Sequence, residues 1–200
     1  IGDNKRVPQL SKWLSEGRIG KNKLNDLEKA YLIGALGKIG DPQAMKAVEG
    51  TLRKKGLYTR RTAMIAFGQI VPQAEAGVQM DYLKKLVSYL KNEGDVTAKN
   101  FGIISIGRIA GNDSAPENVR DASVSVLIDQ FKNGGKTTER PYAAMALGLV
   151  CFESDKKAPK PQELKYKLAG LVRGELQKLK GDKTALASLC ISLGMMGDSD

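Results

Sequence analysis

Histidine is absent from this 200-residue chain, and cysteine and aromatic residues are scarce. There are two cysteines and one tryptophan, and aromatic residues make up 6% of the chain. Without histidine, the chain lacks the commonest general base and the commonest transition-metal ligand. We therefore expect no catalytic residues, no cofactor-binding residues and no metal site, and we predict that the protein is not an enzyme.

Long apolar runs and strand patterns are also missing. No run approaches the roughly 20 residues that a membrane helix requires, so we expect no membrane insertion. Sustained alternation of apolar and polar residues is absent, which favours an all-α fold. Cys151 and Cys190 are too few for a disulfide framework, and we expect both to be small buried residues without a bridge. The composition, 42% hydrophobic and 27% charged, is typical of a folded protein.

One glycine motif recurs five times along the chain. Each copy has Ala or Ser two residues before the glycine and Ile, Val or Met two residues after it. The glycines are Gly37, Gly68, Gly107, Gly148 and Gly194, so their spacings are 31, 39, 41 and 46 residues. A recurring motif at such spacings indicates a repeat protein, in which each unit buries its apolar face against its neighbours.

Each repeat is predicted to contain two helices. The first carries the motif, as in residues 31–39, and the second follows a turn, as in residues 42–55. Apolar residues three and four apart give each second helix one buried stripe. The stripes are Met45, Val48 and Leu52; Leu83, Leu86, Val87 and Leu90; and Leu164, Leu168, Leu171, Val172 and Leu176.

Residues that favour helix ends lie between these segments. Asp41 is predicted to cap the helix that starts at Pro42, and Ser114 with Glu117 fits a capping box. We expect the second helices to end in left-handed glycine caps at Gly56, Gly94, Gly134-Gly135 and Gly181. Longer turns are expected at 71–79, 110–117 and 152–162, either as a binding edge or as tolerated surface loops.

The motif resembles the HEAT repeat, specifically its bilin-lyase-like subtype, whose first helix typically reads A-x-A-L-G-x-I-G-D. Residues 31–41 (YLIGALGKIGD) match it closely, and residues 141–150 (PYAAMALGLV) match it well. The resemblance implies a right-handed α-solenoid of stacked antiparallel helix pairs. The expected units are 1–22 (second helix only), 23–56, 57–94, 95–135, 136–182 and 183–200 (first helix only).

The first and last residues repeat parts of the motif. Ile1-Gly2-Asp3 matches Ile39-Gly40-Asp41, and the chain stops at the same phase, so we expect a fragment of a longer protein. Uncapped repeat ends leave apolar surface exposed, which predicts weak self-association. The compartment stays open, with a cytoplasmic location favoured.

Positive charge is the remaining functional feature. The chain has 32 Lys and Arg residues against 22 Asp and Glu residues, for a net charge of +10. The HEAT resemblance implies that the second helices line a concave surface. The cations opposite their apolar stripes form the predicted binding face: Lys46, Arg53, Lys84, Lys85, Lys91, Arg120, Lys165 and Arg173.

Three functions remain open from the sequence. The leading hypothesis is a non-catalytic scaffold that binds a protein or peptide partner through its curved surface. The alternatives are nucleic-acid or polyanion binding through the lysine-rich face and a regulatory array attached to a catalytic domain of the parent chain. Lysine supplies 23 of the 32 cations, whereas bidentate phosphate recognition favours arginine, and Asp121 and Asp129 interrupt the basic stripe.

Overall fold

The predicted all-α class is confirmed by a computed structural model, which describes residues 4–135, 138–152 and 162–198. Ten α-helices account for most of these residues. They are α1 (Val7–Glu16), α2 (Asp26–Ile39), α3 (Met45–Glu49), α4 (Leu57–Ile70), α5 (Ala76–Asn92), α6 (Val96–Gly111), α7 (Glu117–Asn133), α8 (Glu139–Cys151), α9 (Gln162–Leu176) and α10 (Lys183–Met196). Short 3₁₀ turns cover Asn4–Arg6, Pro42–Ala44 and Val71–Gln73.

A two-stranded hairpin separates α1 from α2. Strands β1 (Arg18–Ile19) and β2 (Asn22–Lys23) pair antiparallel. The four residues are exposed, so they lack the half-buried alternation by which a strand is detected in sequence.

The predicted helix over residues 42–55 is wrong in its extent. After a 3₁₀ turn, α3 ends at Glu49 and the chain continues in turns. The Thr51 hydroxyl and amide both donate to the Val48 carbonyl, at 2.7 and 3.0 Å. Such local bonds compete with helical hydrogen bonds, and Gly50 adds a poor helix former. The predicted stripe is nevertheless buried, at Met45, Val48 and Leu52.

The helices lie in two rows. The first row consists of the glycine-motif helices α2, α4, α6, α8 and α10, each packed extensively on the next. The second row consists of α1, α3, α5, α7 and α9, which pack against the first row. Contacts between neighbours are sparser in the second row, where α1 meets α3 and α5 meets α7. The first row is therefore the tighter of the two.

The motif glycines set the spacing of the first row. Each of the first four lies against the small residue two positions before the next motif glycine. The pairs are Gly37–Ala66, Gly68–Ser105, Gly107–Ala146 and Gly148–Ser192, with 3.2, 2.9, 2.8 and 3.0 Å from an ideal glycine Cβ to the facing Cα. A side chain at Gly68 or Gly107 would collide with the backbone of the next helix, and at Gly37 or Gly148 it would fit only if that backbone shifted by a few tenths of an ångström. The absence of a side chain therefore permits this close approach.

Two of these small residues also bond across the contact. The Ser105 hydroxyl donates to the Met64 carbonyl, and the Ser192 hydroxyl donates to the Ala144 carbonyl, both at 2.6 Å. Each carbonyl lies four residues before a motif glycine. Both hydroxyls are buried, and these bonds satisfy them.

Polar contacts join the N-terminal ends of the first-row helices. Asp26 accepts from the Tyr58 and Thr59 amides (2.9 and 3.1 Å), Arg61 pairs with Asp95 (2.8 and 2.9 Å), and Lys99 pairs with Glu139 (3.3 Å). Burial opposes the ionisation of Asp26, but hydrogen bonds from Thr59 and Tyr58 lower its pKa. We call these contacts the N-terminal ladder. They fix the register of one first-row helix on the next.

Several predicted helix ends are wrong. Asp41 accepts from the Gln43 amide at 2.9 Å, as predicted. Ser114 forms no capping box, because its amide and hydroxyl both donate to Asn112 and the N-cap of α7 is Pro116. Among the predicted left-handed caps, Gly181 has a positive φ, whereas Gly56, Gly94, Gly134 and Gly135 do not. At Gly56 the reason is local, because this residue is already the extended N-cap of α4.

The left-handed glycines that do end helices follow α1, α2 and α10. They are Gly17, Gly40 and Gly197, with φ of 68°, 77° and 69°. Gly40 and Gly197 belong to the Gly-Asp pairs that follow the motif in the first and last copies. The middle motif helices end differently. The C-cap residues of α6 and α8, Asn112 and Phe152, are extended, and α4 continues into a 3₁₀ turn after Ile70.

The two cysteines form no disulfide, as expected, but only Cys151 is buried. Cys190 is exposed because no helix covers the outer side of α10 in the described part of the chain. The longer turns are tighter than predicted: α5 begins at Ala76, and residues 112–116 connect α6 to α7. Most of the turn predicted at 152–162 lies outside the described residues.

Alanine at two motif glycines should have opposite effects. At Gly107, a Cβ would lie 2.6 Å from the Ala146 carbonyl oxygen. Three Ala146 atoms would lie within 2.9 Å, so we expect an overpacking cost of about 2–3 kcal/mol, which exceeds the gain of about 1 kcal/mol in helix propensity. Gly194 has no neighbour within 4 Å of its Cβ position. We expect urea titration to show that Gly107→Ala destabilises the protein while Gly194→Ala leaves it unchanged or stabilises it. Equal effects would contradict this account of the glycines.

Asp95 should stabilise the fold as long as it is ionised. Hydrogen bonding to Arg61 lowers its pKa from 3.8 to about 2, so its contribution is full above pH 3.8 and lost as pH falls through 2. Asp95→Asn keeps an N-cap side chain for α6 but removes the ion pair. We expect a loss of about 2 kcal/mol in the free energy of unfolding at pH 7.

The pH dependence provides the check on this ion pair. The difference between the wild type and Asp95→Asn should shrink between pH 4 and pH 2, as urea titrations across that range would show. Asp121→Asn, at an exposed position of α7, is the matched control and should change little. A loss for Asp95→Asn that stays constant with pH would show that the carboxylate charge is not the cause.

Candidate interaction surface

The structure places the eight predicted cations in different environments. Five are exposed: Lys46, Arg53, Lys84, Lys85 and Lys91. Three are only partly exposed: Arg120, Lys165 and Arg173. The exposed ones lie on α3, on α5 and on the turn that follows α3.

A groove runs between α5 and α7. Its floor consists of apolar side chains, and Lys84, Lys91 and Ser88 lie beside them. The apolar residues are Met80, Leu83, Val87, Ala122 and Val126. The cavity measures about 280 Å³, and we call it the α5–α7 groove.

The sequence of α5 explains why the groove is both apolar and basic. Residues 80, 83, 84, 87 and 91 follow the three- and four-residue spacing of one helix face. Lys84 and Lys91 are two turns apart, or about 10 Å along the axis. Across the groove, the short side chain of Ala122 leaves space next to Val126. Because α5 and α7 make few contacts, Met80, Val87, Ala122 and Val126 are only partly buried, whereas Leu83 is fully buried.

A second cavity of about 490 Å³ lies between α5 and the turn after α3. Arg53, Lys54, Lys55 and Arg60 contribute its positive charge. Two of these cations already have partners, because the Arg53 guanidinium lies 5.5 Å from the centre of the Tyr89 ring and Arg60 pairs with Glu93 at 3.1 Å. Arg60 also donates to the carbonyls of Lys54 and Lys55, at 3.2 Å each.

Glu49 joins α3 to α5 beside this second cavity. It accepts from Lys85 Nζ at 3.0 Å and from the Tyr89 hydroxyl at 3.3 Å. The hydrogen bond to Glu49 raises the pKa of Lys85, and burial raises the pKa of Tyr89. Lys85 Nζ also lies 4.7 Å from the centre of the Tyr82 ring. Lys85 therefore stabilises the packing of α3 on α5, although it is exposed.

Arg120 and Arg173 were predicted to face solvent, but both make contacts within the protein. Arg120 donates to the carbonyls of Ala110 and Ala115, each at 3.3 Å, and so holds the end of α6 to the start of α7. Arg173 pairs with Asp198 at 3.4 Å. Helical periodicity places both on the face opposite the apolar stripe, but it cannot show that the preceding turn and the chain after α10 return to them.

Negative charge limits the basic surface at one end. Asp129 lies with Lys91 and Lys99 in a cavity of about 300 Å³ that continues the α5–α7 groove. Asp121 and Asp129 are both exposed on α7, as the sequence indicated. Lys84 and Lys91 are thus the two predicted cations that lie beside the α5–α7 groove.

The apolar floor was not predicted as a site. Val87 was assigned to the buried stripe of its helix, and Met80 and Val126 were not singled out. A 3.6-residue period shows which side of α5 is apolar, but it cannot show that α7 stands far enough away to leave that side partly uncovered.

The described residues give no support to a metal-binding or membrane-spanning role. In the ranges 4–135, 138–152 and 162–198, no three Cys, Asp or Glu side chains are grouped so that they could hold a metal ion. None of the described helices combines the length and hydrophobicity needed to cross a bilayer. Comparison with protein-family models and with curated proteins finds no match.

The role of Arg120 can be tested by its effect on stability. Its hydrogen bonds to two backbone carbonyls are made by a charged group, so we expect Arg120→Met to lower the free energy of unfolding by about 1–2 kcal/mol. Lys46→Met, at an exposed position of α3, is the matched charge-removing control and should stay within about 0.5 kcal/mol of wild type. If urea titrations show equal stability for the two variants, Arg120 has no structural role and is again a candidate binding residue.

Proposed function

We propose that this chain is a HEAT-type right-handed α-solenoid that binds a protein or peptide partner through the α5–α7 groove, without catalysis. The solenoid assignment is supported by the repeated glycine contact between four successive pairs of first-row helices. It is also supported by the second row, which packs beside the first as expected for paired helices.

The apolar floor between Lys84 and Lys91 is the observation that carries the proposed binding function. Partly exposed Met80, Val87 and Val126 offer contacts for apolar side chains of a partner. The two lysines favour a partner with carboxylates beside those side chains. The best fit is an amphipathic segment with apolar anchors and flanking Asp or Glu.

Polyanion binding is less well supported by the same face. Of the eight predicted cations, Lys85, Arg120 and Arg173 are engaged in contacts within the protein, and Arg53 lies on Tyr89. Asp129 lies at the end of the groove. Binding driven by charge alone would not use the apolar floor, which makes the two functions separable by experiment.

Selection from a random peptide library, displayed on phage, tests the proposal. We expect enriched peptides to combine apolar residues with Asp or Glu. Fluorescence anisotropy should then show weaker binding to the double variant Lys84→Glu/Lys91→Glu, because like charges repel. Val126→Ser should weaken peptide binding about tenfold, the equivalent of roughly 1.4 kcal/mol of lost apolar contact.

Two controls separate the alternatives. Lys21→Glu, in the exposed hairpin turn, makes the same charge change away from the groove and should leave peptide affinity unchanged. A single-stranded oligonucleotide serves as the polyanion. Polyanion binding replaces the proposal if no peptide is enriched and the oligonucleotide binds instead. The oligonucleotide affinity should then fall steeply with salt and be insensitive to Val126→Ser. If the enriched peptides bind Lys84→Glu/Lys91→Glu and Val126→Ser as tightly as the wild type, the α5–α7 groove is excluded as the binding site.

A further inference from the structure

The outer side of α10 carries the same contact pattern as the helices before it, but none of the described residues covers it. Gly148 of α8 lies against Ser192 of α10, whereas no described residue outside the α10 backbone comes within 4 Å of the Cβ position of Gly194. Glycines at this motif position are buried in α2, α4, α6 and α8, and Gly194 is exposed.

The residues around Gly194 show the same difference. In α8, Pro141 and Ala144 are buried under α10. Their counterparts in α10, at the same distances before the motif glycine, are Ala187 and Cys190, and both are exposed. Ile191, three residues before Gly194, is 48% exposed. We call Ala187, Cys190, Ile191 and Gly194 the α10 end face. It is an apolar helix side, and the preceding helices show what kind of surface fits it.

The other end of the first row presents the complementary surface. The small residue two positions before the motif glycine is buried in α4, α6, α8 and α10. Its counterpart in α2, Ala35, is only partly buried, because no first-row helix precedes α2 in the described chain. Tyr31, one turn before Ala35, is 68% exposed, and Lys38 is exposed. We call Tyr31, Ala35 and Lys38 the α2 end face.

We propose that the α10 end face binds the α2 end face of a second copy of this chain, head to tail. A second copy fits the α10 end face because its α2 would continue the contacts that join successive first-row helices. Ala35 would meet Gly194 as Ala66 meets Gly37. In the contact between α2 and α4, the methyl group of Thr62 lies 3.7 Å from the Cβ position of Gly34. In the new contact, Tyr31 takes the position of Thr62 and Ile191 takes the position of Gly34.

Charges at both ends of the helices agree with this register. In the existing contact, Asp26 lies eleven residues before Gly37 and accepts a hydrogen bond from Thr59, which lies nine residues before Gly68. The same positions in the new contact hold Lys183 and Glu28, which have opposite charges. Lys38 follows the motif glycine of α2 and would lie near the C-terminal end of α10, where a cation is favourable.

A head-to-tail contact does not close on itself. A dimer keeps the α2 end face of one copy and the α10 end face of the other free, so growth continues from dimers to longer chains. A single helix-on-helix contact is small for a stable interface, and we expect weak association that increases with concentration.

Sedimentation equilibrium of the 200-residue chain tests the association. Over concentrations from about 1 μM to about 1 mM, we expect the weight-average mass to rise from 21.6 kDa to more than twice that value. Gly194→Arg should remain at the monomer mass throughout. This substitution lies at an open position, so it should leave the fold intact, as circular dichroism would verify. Gly170→Arg, at an exposed glycine of α9 that also has no neighbour within 4 Å, is the matched control and should associate like wild type.

Mixing two variants tests the head-to-tail geometry. Ala35→Arg blocks the α2 end face and leaves the α10 end face free, and Gly194→Arg does the reverse. Each should be monomeric alone, and their equimolar mixture should form a dimer that grows no further. A dimer of Ala35→Arg alone would instead indicate that two α10 end faces meet. A wild-type chain that stays monomeric, or a Gly194→Arg variant that associates like wild type, would overturn the proposal.

Discussion

The close approach of neighbouring backbones in the first row is the contact on which the rest of the structure depends. A motif glycine faces Ala or Ser of the next helix, at distances that are too short for an unstrained side chain. Glycine within a helix costs about 1 kcal/mol relative to alanine, and dispersion contacts between the closely packed helices offset this cost. The second row follows from the first, because its helices pack against a framework whose spacing is already set.

Several charged groups in this protein act as internal connections. The N-terminal ladder joins first-row helices, and Glu49 links α3 to α5 through Lys85 and Tyr89. The count of 32 Lys and Arg residues therefore overstates the number of cations that a partner could meet. The Arg61–Asp95 and Lys99–Glu139 pairs are partly buried, unlike exposed surface ion pairs, which contribute little to stability.

Sequence periodicity predicted the parts of the fold that repeat. The five motif helices and the apolar stripes at Met45, Leu86 and Leu168 are present and buried where expected. The errors fall where one residue decides the local conformation: Thr51 competes with the helix after Val48, and Gly56 serves as an N-cap rather than a left-handed C-cap.

The candidate site was predicted only in part, for a different reason. Lys84 and Lys91 were identified because their position on α5 depends on that helix alone. The groove depends on the separation of α5 from α7, and the role of Arg120 depends on carbonyls of the preceding helix and turn. Neither distance is encoded in the period of a single helix.

The unequal packing of the two rows has a mechanical consequence. The glycine contacts join successive first-row helices, and α5 and α7 pack on those helices with few contacts between them. The glycine contacts can therefore serve as a pivot. With helix axes about 10 Å apart, a rotation of about 10° between neighbouring repeats moves α5 relative to α7 by about 2 Å. Such a rotation would change the width of the α5–α7 groove, so the size of a ligand that fits there depends on the angle between first-row helices.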